Sequence, residues 1–179
     1  RYVVGIDLGT TNCAVSYVDT LESPWQIHVC QIPQVVAPGQ VESRDTLPSF
    51  LYQAADAEAA GGALRLPWSQ NKEPEFATGV YAREEGTRTP GRLIASAKSW
   101  LCHSGVDRTA DLLPWQGHAD VTRLSPVEVT SRYLSHIASA WKHQFPNHPL
   151  PDQQVVITLP ASFDEVAREL TVQAAAAAD

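Results

Sequence analysis

The chain has 179 residues, 44% of them hydrophobic and 18% charged, with a formal net charge of −7. That much apolar sequence builds a packed domain or two small lobes and excludes a disordered chain. An acidic chain without a Lys/Arg cluster is a poor general nucleic-acid binder, and no apolar run approaches the ~18 residues of a membrane span.

The first predicted element is a hairpin. Tyr2-Val3-Val4 leads into Gly5-Ile6-Asp7-Leu8-Gly9-Thr10-Thr11-Asn12, and Cys13 to Asp19 returns with apolar residues at nearly every second position. Trp25 to Ile32 is expected as a third strand, completing an antiparallel meander that Pro33, Pro38 and Gly39 end. Residues 34–46 read as a surface loop. Leu47 to Tyr52 reads as a strand, and Pro48, which cannot donate to a ladder, puts it at an edge or at a strand start. Ala54 to Gly62 is a turn with Leu64 to Trp68 as its return strand, and residues 69–75 are a polar loop.

The middle of the chain gives two short helices, Ala77 to Glu85 and Arg92 to Cys102. Leu93, Ile94, Ala97, Trp100 and Leu101 share one face of the second. Residues 106–123 are expected to hold two short strands. Ser125-Pro126-Val127-Glu128 marks a helix start, with an N-cap Ser, Pro at the first helical position and Glu at the third. Val127, Thr130, Leu134, Ile137, Trp141 and Phe145 form its stripe, and Pro146 to Pro151 stops it. Val155 to Leu159 is a continuous apolar run and reads as a strand buried on both faces. Ser162-Phe163-Asp164-Glu165 is expected to cap a last helix through Ala178.

Three features bear on chemistry. The Gly5–Asn12 turn offers backbone N–H groups and two hydroxyls, a set that suits phosphate oxygens, and Asp7 could hold magnesium directly or through water. An ordinary hairpin turn uses the same residues. Neither the P-loop nor the Rossmann glycine pattern is present. The histidines show no metal-ligand spacing, so His136 and His143 are expected at the surface. Cys13, Cys30 and Cys102 are odd in number and lack C-x-x-C spacing, which predicts reduced thiols and a cytoplasmic location. The start at Arg1 and the absence of methionine suit a chain cut from a longer one.

The stretch Val4-Gly5-Ile6-Asp7-Leu8-Gly9-Thr10-Thr11-Asn12 resembles the first phosphate motif of the seventy-kilodalton heat-shock chaperones, members of the actin and sugar-kinase ATPase superfamily. A sugar kinase carries a similar hairpin. Thr46-Leu47-Pro48-Ser49, Ala97-Lys98-Ser99-Trp100-Leu101 and Val155 to Phe163 with Arg168 are similar to further chaperone segments in the same order. The resemblance implies an α/β fold: a ribonuclease-H-like, actin-like core subdomain from about 1–35 and 120–179, with a mixed sheet and flanking helices. A smaller α+β subdomain, 36–119, would be inserted in it.

The resemblance also implies roles. Gly9, Thr10, Thr11 and Asn12 would bind the phosphates of ATP or ADP, and Asp7 would sit in the Mg²⁺ shell through water. Lys98 would be the catalytic cation near the γ-phosphate, although taken alone it suits a solvated helix position. Pro160 and Arg168 would form an interdomain relay; their ordinary roles are a strand terminator and an exposed helix arginine. Partners would be unfolded polypeptide clients and co-chaperones, with no nucleic acid and no membrane. The second lobe and the peptide-binding domain are not in this sequence, so an excised first lobe, inactive alone and prone to self-association, is expected. The sequence departs from the family at Cys13, where Ser is common, and at Ser162, where an aromatic is usual.

Overall fold

The computed structural model describes residues 1–70 and 72–178; Asn71 of the expected polar loop and Asp179 lie outside the described residues. Its first element is the expected hairpin of β1 (Tyr2–Leu8) and β2 (Asn12–Asp19), paired antiparallel from Tyr2–Asp19 to Leu8–Cys13. Every second residue of β1 is buried: Tyr2, Val4, Ile6 and Leu8 turn inward, while Asp7 is exposed. The third strand is shorter than its apolar alternation suggested. Of the stretch Trp25 to Ile32, β3 (His28–Val29) alone pairs as a strand with β2, and Trp25 and Ile27 stand exposed in the loop before it.

Residues 34–46 are not a plain loop. β4 (Ile32–Ala37) and β5 (Gln40–Arg44) form a separate two-stranded hairpin, with Gly39 at φ +70° in its turn. The prolines were misleading because a two-stranded ribbon is all edge, where Pro33 costs no ladder bond that a neighbour needs. Gln34 is fully buried; its amide donates to the Thr46 carbonyl at 2.9 Å and accepts from the Val80 N–H at 3.0 Å. The expected strand 47–52 is broken at Ser49. β6 (Thr46–Pro48) extends the first sheet on β2, and β7 (Phe50–Gln53) enters a third sheet.

After the short helix α1 (Asp56–Ala59), Leu64 is buried but forms no strand with its neighbours. β8 (Phe76–Thr78) and β9 (Leu93–Ala95) flank β7. Helix α2 (Val80–Arg88) starts later than expected and runs through Gly86, where a Cβ would meet Leu93 at 2.4 Å. The expected helix 92–102 is half strand. Leu93 to Ala95 satisfy their backbone groups against β7, and Ser96 at φ +57° turns the chain into α3 (Ala97–Leu101). Between 106 and 123 the two short strands are absent. A bridge between Leu113 and Leu124 ties down the end of this region.

Helix α4 (Pro126–Gln144) has the expected start: Ser125 Oγ accepts from the Glu128 N–H at 3.1 Å. Its burial is wider than one stripe. Leu134, Ile137 and Trp141 pack on β1 and β2, while Val129 and Tyr133 pack toward β7, β9 and α3. His136 is a correction: it is buried, its Nε2 lies 2.8 Å from the Pro33 carbonyl, and the Trp68 ring meets it edge-on. His143 is exposed.

β10 (Gln154–Thr158) lies parallel to β1 in the register Val3–Gln154 to Asp7–Thr158. It closes the main sheet in the order β10-β1-β2-β3. It is an outer strand, and the expectation of burial on both faces fails, with Val155 37% and Val156 50% exposed. Helix α5 (Glu165–Ala176) packs beside α4 on the face of the sheet lined by Val4 and Ile6. Its N-cap is Asp164 rather than Ser162: Asp164 Oδ1 accepts from the Ala167 N–H at 2.7 Å. The described residues form a mixed α/β structure with three sheets. Among the described residues no helix is long and apolar enough to cross a membrane.

Candidate functional site

The hairpin turn is held from beneath. Gly9 has no room for a side chain, since a Cβ there would fall 2.0 Å from the Asn12 carbonyl oxygen. Ser49, at the break between β6 and β7, donates its N–H to the Thr11 carbonyl at 2.9 Å and its hydroxyl to the Gly9 carbonyl at 2.8 Å. Cys13 is buried with its sulfur 3.3 Å from the same hydroxyl, and burial pushes its thiol pKa up. The Gly9 and Thr11 carbonyls therefore face the protein. Thr10, Thr11 and Asn12 are exposed, and the N–H groups of Thr10 and Thr11 donate to no backbone carbonyl among the described residues. Such a turn presents donors outward, as an anion requires.

Lys98 reaches this turn from 90 residues away. Its ammonium donates to the Leu8 carbonyl and lies 5.6 Å from the centroid of the Phe163 ring. Asp7 sits on the uncovered face of the sheet, where its Oδ1 accepts from the Thr158 hydroxyl at 3.0 Å. Pro160 is half-buried after β10, and its carbonyl accepts from the Phe163 N–H at 3.1 Å. Arg168 is exposed on α5 and donates from Nε to the Phe163 carbonyl at 3.2 Å. The structure thus brings Asp7, the turn and Lys98 together, and links Pro160 and Arg168 to Lys98 through Phe163.

Sequence reasoning assigned no role to Ser49, Thr158, Phe163 or Arg108. The first three lie in the quoted motifs, so their spacing was the available signal. Arg108 had none: it makes a two-pronged ion pair with Asp164 at 2.9 and 2.8 Å. That pair, with the Ala167 N–H, holds the Asp164 carboxyl down at about 2.

The donor set can be tested against the groups that the resemblance implies. Among the described residues there is no group of three His, Cys, Asp or Glu able to hold a metal ion by themselves. A single exposed carboxylate beside outward donors suits Mg²⁺, which keeps several waters and takes one or two carboxylates plus phosphate oxygens. A turn with no room for a Cβ, two free hydroxyls and a nearby ammonium suits phosphate.

The site thus lies on a mixed sheet with helices on one face and a Gly-Thr-Thr hairpin at its rim. Compared with known proteins, the chain matches no family model. It is 27% identical over 187 residues to the chaperone protein HscA of Pectobacterium carotovorum subsp. carotovorum, and 30% identical over 187 residues to HscA of Serratia proteamaculans. It is also 31% identical over 186 residues to the HscA homolog of Bordetella pertussis. These likenesses take in 98% of this chain. The chain spans about a quarter of the length of the curated relatives it matches, 24–25% for these three. The chain belongs to the heat-shock protein 70 family, as an N-terminal region of that type.

Proposed function

We propose that this region supplies one wall of the nucleotide site of a molecular chaperone that couples ATP binding and hydrolysis to binding and release of unfolded polypeptides. The observation that carries the reading is the meeting of Lys98 with the Gly9 turn, two motifs far apart in sequence that share no packing need for a charged group. Gly9, Thr10, Thr11 and Asn12 would hold the phosphates of ATP or ADP. Asp7 would take Mg²⁺ through water, and Lys98 would offset charge on the transferred phosphoryl group. Bound Mg²⁺ supplies charge neutralisation on the phosphate oxygens. The residues of this chain bind and orient the phosphates and keep the turn rigid.

The ribonuclease-H-like, actin-like core is part of the same reading. The main sheet draws on 1–35 and 120–179, with β6 as the addition, and the sheet of β8, β7 and β9 lies within 36–119. Phe163 supports the relay reading of Pro160 and Arg168, because one residue contacts both and also faces Lys98. A chaperone with client and co-chaperone partners accords with the HscA relatives, and a cytoplasmic location is part of the same proposal.

On this reading the 179-residue chain alone binds ATP weakly and has no useful turnover, since half the nucleotide contacts are missing while the cost of immobilising the ligand remains. A submicromolar Kd in a titration would overturn that. The chain alone would also self-associate through exposed apolar groups such as Val155 and Val156, which a clean monomer in concentrated sedimentation runs would refute. ATPase assays on the full-length protein test the main reading. Turnover stimulated by unfolded peptide supports it, sugar-dependent turnover points to a kinase, and no turnover points to a nonenzymatic relative. Gly9→Ala should abolish nucleotide-dependent shifts of the Thr10 and Thr11 amides.

A further inference from the structure

We propose that Thr158 is a positioning residue for Asp7, holding its carboxylate so that one oxygen alone faces the metal-and-phosphate side of the turn. The inference rests on the reading of Asp7 as the Mg²⁺ carboxylate. Parallel pairing of β10 with β1 sets Thr158, the last residue of β10, directly opposite Asp7, one residue before the end of β1. On the other flank, β2 sets Ala14 opposite Asp7. The carboxylate therefore has a hydroxyl on one side and a methyl group on the other. Only the hydroxyl can hold it.

The hydroxyl has one proton to give. Its two acceptors within reach are Asp7 Oδ1 at 3.0 Å and the Ile6 carbonyl at 3.4 Å. The shorter contact is to a carboxylate, and hydrogen bonds to ionised acceptors are the stronger kind. With Oδ1 engaged, Oδ2 is the oxygen left for a metal-bound water. Asp7 is exposed on the uncovered face of the sheet, so no packed side chain duplicates this restraint. A serine in place of Thr158 would keep the bond; a valine would keep the shape and remove it.

Two measurements test this. In the labelled 179-residue chain, three-bond couplings should show one χ1 rotamer for Asp7 in the wild type and in Thr158→Ser, and rotamer averaging in Thr158→Val. Averaging already in the wild type, or a single rotamer in Thr158→Val, overturns the proposal. In the full-length protein, the Mg²⁺ concentration that half-maximally tightens ADP binding should rise ~10-fold in Thr158→Val. That is the low end of what loss of an outer partner costs a metal site, as expected for an exposed one. Thr158→Ser should stay near wild type. Asp7→Asn separates the two layers. If it shifts the Mg²⁺ midpoint and Thr158→Val does not, positioning by Thr158 fails alone; if neither shifts it, the metal role of Asp7 fails and the positioning role with it.

Discussion

β1 and β10 lie side by side in register over five residue pairs, and their sequences suggest opposite fates from those they meet. β1 carries a charged residue and a glycine, yet its alternate side chains are almost wholly buried. β10 is an unbroken Val-Val-Ile run, yet Val155 and Val156 are exposed. The difference is position in the sheet. β1 has a strand on each side and two helices across one face, whereas β10 has one neighbour. Even its inner face is open, because Val155 and Ile157 line a groove of about 370 Å³ against Leu134, Leu150 and the end of α5. A side chain's hydrophobicity states what burial would be worth, and the neighbours decide whether burial happens.

The contrast can be broken most sharply by truncation. Ile6→Ala on β1 should cost about 2–5 kcal/mol in a denaturant melt, through lost transfer energy and a cavity that the sheet cannot close. Val156→Ala on β10 should stay within about 0.5 kcal/mol, as for surface changes. Equal losses would show that β10 is as enclosed as β1 in solution.

The next largest effect concerns the helix that covers β1. Burial pushes the His136 imidazole down to about 4, against the support of the Pro33 carbonyl. The folded pKa lies below the ordinary 6.5, so the unfolded chain takes the proton first. Stability from this group is complete above pH 6.5 and lost as pH falls toward 4, by about 3 kcal/mol at most. His136→Gln should flatten that part of a stability-against-pH curve; an unchanged curve would place the imidazole in solvent.

The helix caps give the smallest effects. Ser125→Ala at the start of α4 should cost about 1 kcal/mol. Ser162→Ala, before α5, should be silent within about 0.5 kcal/mol because Asp164 holds the cap. The Asp164 carboxyl is depressed by Arg108, so its contribution is present above its ordinary pKa and lost as pH falls toward about 2. Acid unfolding of Arg108→Ala should therefore begin at higher pH than in the wild type.

Much of the candidate site was legible because its parts are local. Gly9 is forced by a backbone approach within four residues, and the hairpin by alternation over eighteen. Lys98 was legible only through resemblance, since its own helix is five residues long and gives it no distinguishing surroundings in sequence. The misreadings have one cause. Leu93 to Ala95 carries apolar residues at a spacing that fits helix or strand, and the partner β7 lies forty residues away. Pro33 looked like a terminator because nothing local shows that its strand is an edge. His136 looked like surface because the carbonyl and the indole that enclose it come from residues 33 and 68.

The sequence by itself determined the hairpin and its glycine, the start and length of α4, the strand-then-helix order of the C-terminal third and, through its motifs, the family. Those features depend on backbone sterics, capping and periodicity, which act within a few residues. Only the tertiary structure decided that Lys98 meets the turn, that Thr158 stands against Asp7, that Ser49 braces the turn from below and that β10 is left open. Each of these is a pairing across the chain, set by how sheets and helices fill space together.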